Sequence, residues 1–156
     1  MPSRCHRLPL QHGSKTCRVK SGARNRPTYL AMPTPKQDQA REERITMEIV
    51  VDCYNEDEAR SGWWCYLDGK LACPFEAECI RERRTSPLKM GDRVTVTGML
   101  DDDEAADSLG EMQVEIAWQG RTFGVPLAQL RGVGVNKDTA EAIEDWHYWI
   151  AQGRQF

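Results

Sequence analysis

No apolar run in this chain approaches the roughly 20 residues that cross a bilayer. The longest pieces, such as Ile49-Val50-Val51, are core-sized, so no membrane partner is expected. Histidine is scarce: there are three, and only His147 lies beyond the first 31 residues. No serine or cysteine therefore has a histidine partner that the sequence identifies. The phosphate-cradling glycine loop, the dinucleotide fingerprint and the nucleophile motifs are also missing. No enzyme is expected. None of the six cysteines stands in a CxxC pair, which argues against zinc. Cys5 and Cys17 fall in the first 31 residues; Cys53, Cys65, Cys73 and Cys79 read as reduced, mostly buried thiols of a cytoplasmic protein.

Acids are absent from residues 1–31, which hold seven Lys and Arg. The other 14 bases stand against all 24 acids, so residues 32–156 carry a net charge of −10 within a total of −3. A body this acidic repels nucleic acid and attracts cations; no nucleic-acid partner is expected. The basic head has no helical or strand period. Met32 opens a second plausible start, Met-Pro-Thr-Pro-Lys. Residues 1–40 are expected to be a disordered head and leader, with 1–31 outside the functional protein, and residues 41–156 the folded domain.

What the chain has in excess is carboxylate. Asp101, Asp102, Asp103, Glu104, Asp107 and Glu111 put six acids in eleven residues, between two segments that alternate like β-strands. Like charges this close repel, and a hard cation is the usual compensation. Calcium takes about six to eight oxygen ligands and tolerates irregular geometry, whereas magnesium wants few protein ligands and many waters. A solvated acidic loop that serves solubility is the plain alternative. An EF-hand is excluded. With Asp101 at the first position, Ala106 stands where glycine belongs and Met112 where the last glutamate belongs. Asp68 and Glu76, either side of a helix-to-strand turn, are a second candidate pair of ligands.

The pattern predicts an α+β fold: a small SH3-like antiparallel β-barrel with two N-terminal helices and one C-terminal helix. Ile45, Ile49, Val50 and Cys53 give a first helix over 39–54. Asn55 caps a second helix that runs to about Leu67, buries Trp63, Tyr66 and Leu67, and ends at Gly69. Strands are expected over 75–83, 93–99, 112–118 and 122–127, with a hairpin turn at Gln119-Gly120. The run Leu88-Lys89-Met90-Gly91-Asp92-Arg93-Val94-Thr95-Val96 followed by a hairpin resembles, at the level of fold, the opening of SH3-like barrels. Asp138 and Glu141 form a capping-box-like pair for a last helix ending at Gly153. That helix lines Ile143, Trp146 and Ile150 along its core face, and its His147 reads as a structural histidine.

From Arg41 onward the chain resembles the CcbP type of cyanobacterial calcium-binding protein. Six segments carry the resemblance: Met47-Glu48-Ile49-Val50-Val51-Asp52-Cys53-Tyr54, Gly62-Trp63-Trp64-Cys65-Tyr66-Leu67, Pro74-Phe75-Glu76-Ala77, Ser86-Pro87-Leu88-Lys89-Met90-Gly91-Asp92, Gly124-Val125-Pro126-Leu127-Ala128-Gln129-Leu130, and Ala142-Ile143-Glu144-Asp145-Trp146-His147-Tyr148-Trp149. The resemblance implies a compact barrel with helices packed on it. It also implies a Ca2+ binder outside the EF-hand class that lowers free calcium and takes part in calcium signalling during cell differentiation. A regulatory protein is a candidate partner. The competing expectation is an acidic SH3-like protein–protein interaction module that holds metal only incidentally. An exposed Trp63-Trp64 patch would mark it.

Overall fold

The computed structural model describes residues 36–101, 110–154 and 156. Helix α1 spans Gln39–Arg44, and its N-cap Asp38 accepts a hydrogen bond from the Arg41 amide at 3.2 Å. The backbone then widens into a π turn over Ile45–Ile49, closed by the Val50 amide on the Ile45 carbonyl at 3.0 Å. Ile45 and Ile49 are buried, as their spacing predicts. The first helix nevertheless stops well short of Tyr54. The β-branched run Ile49-Val50-Val51 loses side-chain freedom in a helix, and Asp52 leaves it with φ at 57°.

Helix α2 spans Glu56–Lys70 and is capped by Asn55, whose side chain accepts from the Glu58 amide at 2.8 Å. The acids Glu56, Asp57 and Glu58 occupy its first turn, where the helix dipole favours them. It runs through Gly69 instead of ending there. The Leu71 amide bonds the Leu67 carbonyl at 2.8 Å, and buried Leu71 anchors the last turn. Gly62 lies against the π turn. A Cβ there would collide with the Ile49 carbonyl oxygen, so this close approach requires glycine.

Five strands follow: β1 (Phe75–Cys79), β2 (Arg93–Met99), β3 (Gln113–Trp118), β4 (Arg121–Pro126) and β5 (Leu130–Val133). All pairings are antiparallel, in the order β4-β3-β2-β1-β5. β4 and β5 are the two edges, so the sheet is open and the closed barrel is not formed. β5 follows a 3-10 turn at Leu127–Gln129; no alternation announces it, since Leu-Arg-Gly-Val is too short and contains glycine. The β2–β3 register shifts between Val96 and Gly98. A bulge of this kind adds local twist, here at the end of the hairpin from which the acidic run departs.

Helix α3 spans Lys137–Ala151. Its cap is Asn136, which accepts from the Thr139 amide at 2.8 Å, in place of the expected Asp138. Asp138 sits in the first turn. Helices α2 and α3 meet each other and the sheet, around a core that includes Trp63, Leu67, Val96, Val114, Ile116, Leu130, Ile143 and Trp146. Trp63 is fully buried, with Trp146 and Trp149 at ring distances of 5.1 and 5.4 Å. The half-buried Trp64 donates its indole N–H to the Leu100 carbonyl at 3.0 Å. The exposed tryptophan pair that an interaction module would show is therefore absent. The four cysteines of the described residues are free, but only Cys79 is buried; Cys65 is exposed and Cys53 and Cys73 are half-buried.

His147 is a packed histidine, with Nε2 3.4 Å from the Leu127 carbonyl. Burial holds its pKa below the ordinary 6.5, against the opposing pull of that carbonyl. The folded state thus favours the neutral ring. Its contribution to stability is fully present above pH 6.5 and is lost as pH falls through the lowered folded-state value. Melting of the protein and of a His147→Gln variant at pH 7.5 and pH 5.5 checks this: the variant is expected to lose less stability between the two.

Candidate metal site

The acidic run is the connection between β2 and β3, and the fold fixes both of its ends. On the outgoing side the Leu100 amide makes a last rung to the Gln113 carbonyl at 3.1 Å, and the Leu100 carbonyl takes the Trp64 indole. Asp101, the next residue, is exposed. On the returning side Gly110 has φ at 75°, and a Cβ on it would lie 2.7 Å from the Phe156 carbonyl oxygen. Both observations require glycine there. Glu111 follows, with Oε1 2.7 Å from Arg83 Nη2. Met112 is buried, and its carbonyl accepts from the Leu127 amide at 2.9 Å. Asp102, Asp103, Glu104 and Asp107 lie outside the described residues.

Arg83 is a residue that the sequence does not single out, because its partner Glu111 is far along the chain. It brings one positive charge to the returning end of an otherwise anionic connection. The donors present, carboxylate oxygens, are those that calcium prefers. Among the described residues no three Asp, Glu, His or Cys side chains gather closely enough to hold a metal ion. Asp101 and Glu111 by themselves are therefore not a metal site.

The second candidate pair is not brought into such a group either. Asp68 is exposed on the last turns of α2. Glu76 is exposed on β1, where Oε1 accepts from the Thr95 hydroxyl at 2.7 Å. Glu76 lines an open recess of about 360 Å³ with Thr95, Asn136 and Thr139, and Asp68 is not among the lining residues.

A separate carboxylate is held far more tightly. Asp145 on α3 is completely buried and takes both Arg44 contacts at 2.8 Å and the Tyr66 hydroxyl at 2.9 Å. Arg41 Nε stands 3.2 Å away. The Asp145 hydrogen bond raises the Arg44 pKa, and burial followed by the Asp145 charge raises that of Tyr66. Both groups stay protonated as donors. This cluster clasps α1 to α3 and leaves Asp145 no room for a metal. One signal for it exists in the sequence. Ala142, Asp145 and Trp149 share helical spacing, so an acid sits on the apolar stripe.

The fold and this connection define an α+β domain with an open antiparallel sheet and a carboxylate-rich connection between β2 and β3. The family model for CcbP-type calcium binding matches residues 43–150. The chain belongs to this calcium-binding family. It is similar to the crystal structure of Anabaena CcbP, at 38% identity and a TM-score of 0.67 over 77% of this chain and 96% of that one. It is similar as well to a calcium binding protein solved in its calcium-binding form, at 36% identity and a TM-score of 0.66 over the same shares. The comparison with curated proteins finds no match.

Proposed function

We propose that this protein binds calcium at the connection 101–111, and that in doing so it buffers or sequesters calcium in the cytoplasm and serves calcium signalling. The observation that carries this reading is a run of six carboxylates strung between two stems held by the sheet, Trp64, Arg83 and Phe156. Asp101, Asp102, Asp103, Glu104, Asp107 and Glu111 are the candidate ligands, completed by backbone carbonyls and water. A similar protein solved in a calcium-binding form supports the choice of ion.

Arg83 explains how the connection tolerates its own charge without calcium: it neutralises Glu111 locally. Calcium supplies the rest of the compensation, and a flexible set of carboxylates suits it better than magnesium. We place Asp68 and Glu76 second, because the fold does not bring the two together: Asp68 is not among the residues that line the recess beside Glu76. The interaction-module reading loses its premise with the burial of Trp63. We also read the strand order, with its 3-10 turn ahead of β5, as an SH3-like sheet that has stayed open.

Replacing Asp101, Asp102 and Asp103 with Asn and Glu104 with Gln is expected to weaken calcium binding at least about tenfold, or 1.4 kcal/mol. Calorimetric titration of the variant and the parent measures it. Equal affinities would remove the connection from the site.

A further inference from the structure

The stretch that leads from α1 into α2 has a surface that calcium binding leaves unused. Of the four large hydrophobic side chains exposed among the described residues, three lie here: Met47 at 66%, Val51 at 47% and Tyr54 at 87%. The backbone beneath them is firmly seated. Ile45 and Ile49 are buried on the other side of the same turn, and Arg44 is locked to Asp145. The turn itself is a π turn, a form found often at functional positions. The same stretch carries the exposed carboxylates of Glu43, Glu48, Asp52, Glu56, Asp57 and Glu58, and Glu58 Oε2 accepts from the Tyr54 amide at 2.7 Å. The base within this stretch, Arg44, is committed to Asp145.

We propose that Met47, Val51 and Tyr54 form a docking surface for a basic amphipathic segment of a partner protein. Its apolar side chains seat on the three exposed residues and its Lys and Arg meet the acidic rim. Charge selects this occupant. An anionic lipid surface or an acidic peptide is repelled by the rim. A second copy of the chain, meeting this one across a two-fold axis, would bring the same acids face to face. Methionine adapts to varied apolar shapes, and tyrosine is among the residues that most often anchor interfaces. The surface lies on the α1–α2 junction and its role does not depend on the calcium reading.

The test uses the full chain and a labelled synthetic helical peptide with Leu on one face and Lys on the other. A second peptide has Ser in place of every Leu. Fluorescence anisotropy is expected to show the Leu peptide binding at least about tenfold more tightly than the Ser peptide. The double variant Met47→Ser, Tyr54→Ser is expected to erase that difference while its melting temperature holds, because both side chains are exposed. Glu48→Lys, which leaves the apolar residues in place, is expected to weaken the same peptide. Equal binding of the two peptides would overturn the proposal, as would parental affinity in the double variant. Sedimentation of the chain alone tests a second copy as the occupant. A monomer agrees with the proposal, and a dimer that the double variant dissolves would assign the surface to a second copy and overturn it.

Discussion

Asp145→Ala is expected to lower the free energy of unfolding by about 3 kcal/mol, the low end of the usual cost of removing one partner of a buried ion pair, because Arg44 keeps 22% of its side chain exposed and Glu141 at 3.6 Å. The carboxylate is fully buried and accepts from Arg44 twice and from Tyr66 once. Its loss leaves a guanidinium and a hydroxyl without their acceptor. The same change removes one of the ties between α1 and α3, leaving those of Arg41 to Glu144 and of Glu42 to Tyr148. Urea unfolding of the two proteins measures the difference. A companion variant separates charge from packing. Replacing Arg44 with Met and Asp145 with Leu removes both charges and fills similar volume, and is expected to cost less than Asp145→Ala alone. A small effect of Asp145→Ala would mean that water reaches Arg44 and that the clasp contributes little.

Calcium is expected to stabilise the fold, by about 2.7 kcal/mol at a hundredfold excess over its dissociation constant if it binds only the native state. The proposed source is the connection 101–111, whose six carboxylates a bound cation would relieve of mutual repulsion. The rise in melting temperature should shrink as pH falls toward the carboxylate range, since protonated ligands release the ion. Simple screening gives part of the effect at high monovalent salt. Millimolar calcium therefore has to be compared with sodium chloride of equal ionic strength. Calcium should raise the melting temperature clearly further; equal rises would reduce the connection to a screened acidic surface.

Much of the sheet is legible in the sequence because period-2 alternation survives in it. Val94 and Val96, then Val114 and Ile116, turn inward as the pattern requires. Helix α3 is legible because Ile143 and Trp146 keep the 3.6-residue helical period and are both buried. The errors have local causes. The β-branched run after Ile49 turns an expected helix into a π turn and an exposed stretch. Strand β5 holds only four residues, and its partner β1 lies far back in the chain. Asn136 captures the cap of α3 two residues before the acid that spacing favours. Barrel closure depends on whether the edges β4 and β5 meet, and no single strand encodes that.

The candidate site is legible as composition but not as geometry. Six carboxylates in eleven residues announce themselves, whereas ligand identity depends on which oxygens face one point. The Arg83 contact to Glu111 spans a long stretch of chain and leaves no mark in either segment. The clasp at Asp145 left a trace, an acid on an apolar helical face, that spacing alone reveals. Trp63 shows the converse: its sequence suits a surface patch as well as a core, and only the packing of Trp146 and Trp149 against it decides.

The most direct measurement of where calcium binds is an isotope-labelled amide spectrum followed through a calcium titration of the full chain. Saturable shifts centred on residues 101–111 are expected, with Arg83 responding as calcium takes over its role beside Glu111, and little change when magnesium replaces calcium. Shifts centred on Asp68 and Glu76, or no saturable shifts at all, would contradict this placement of calcium.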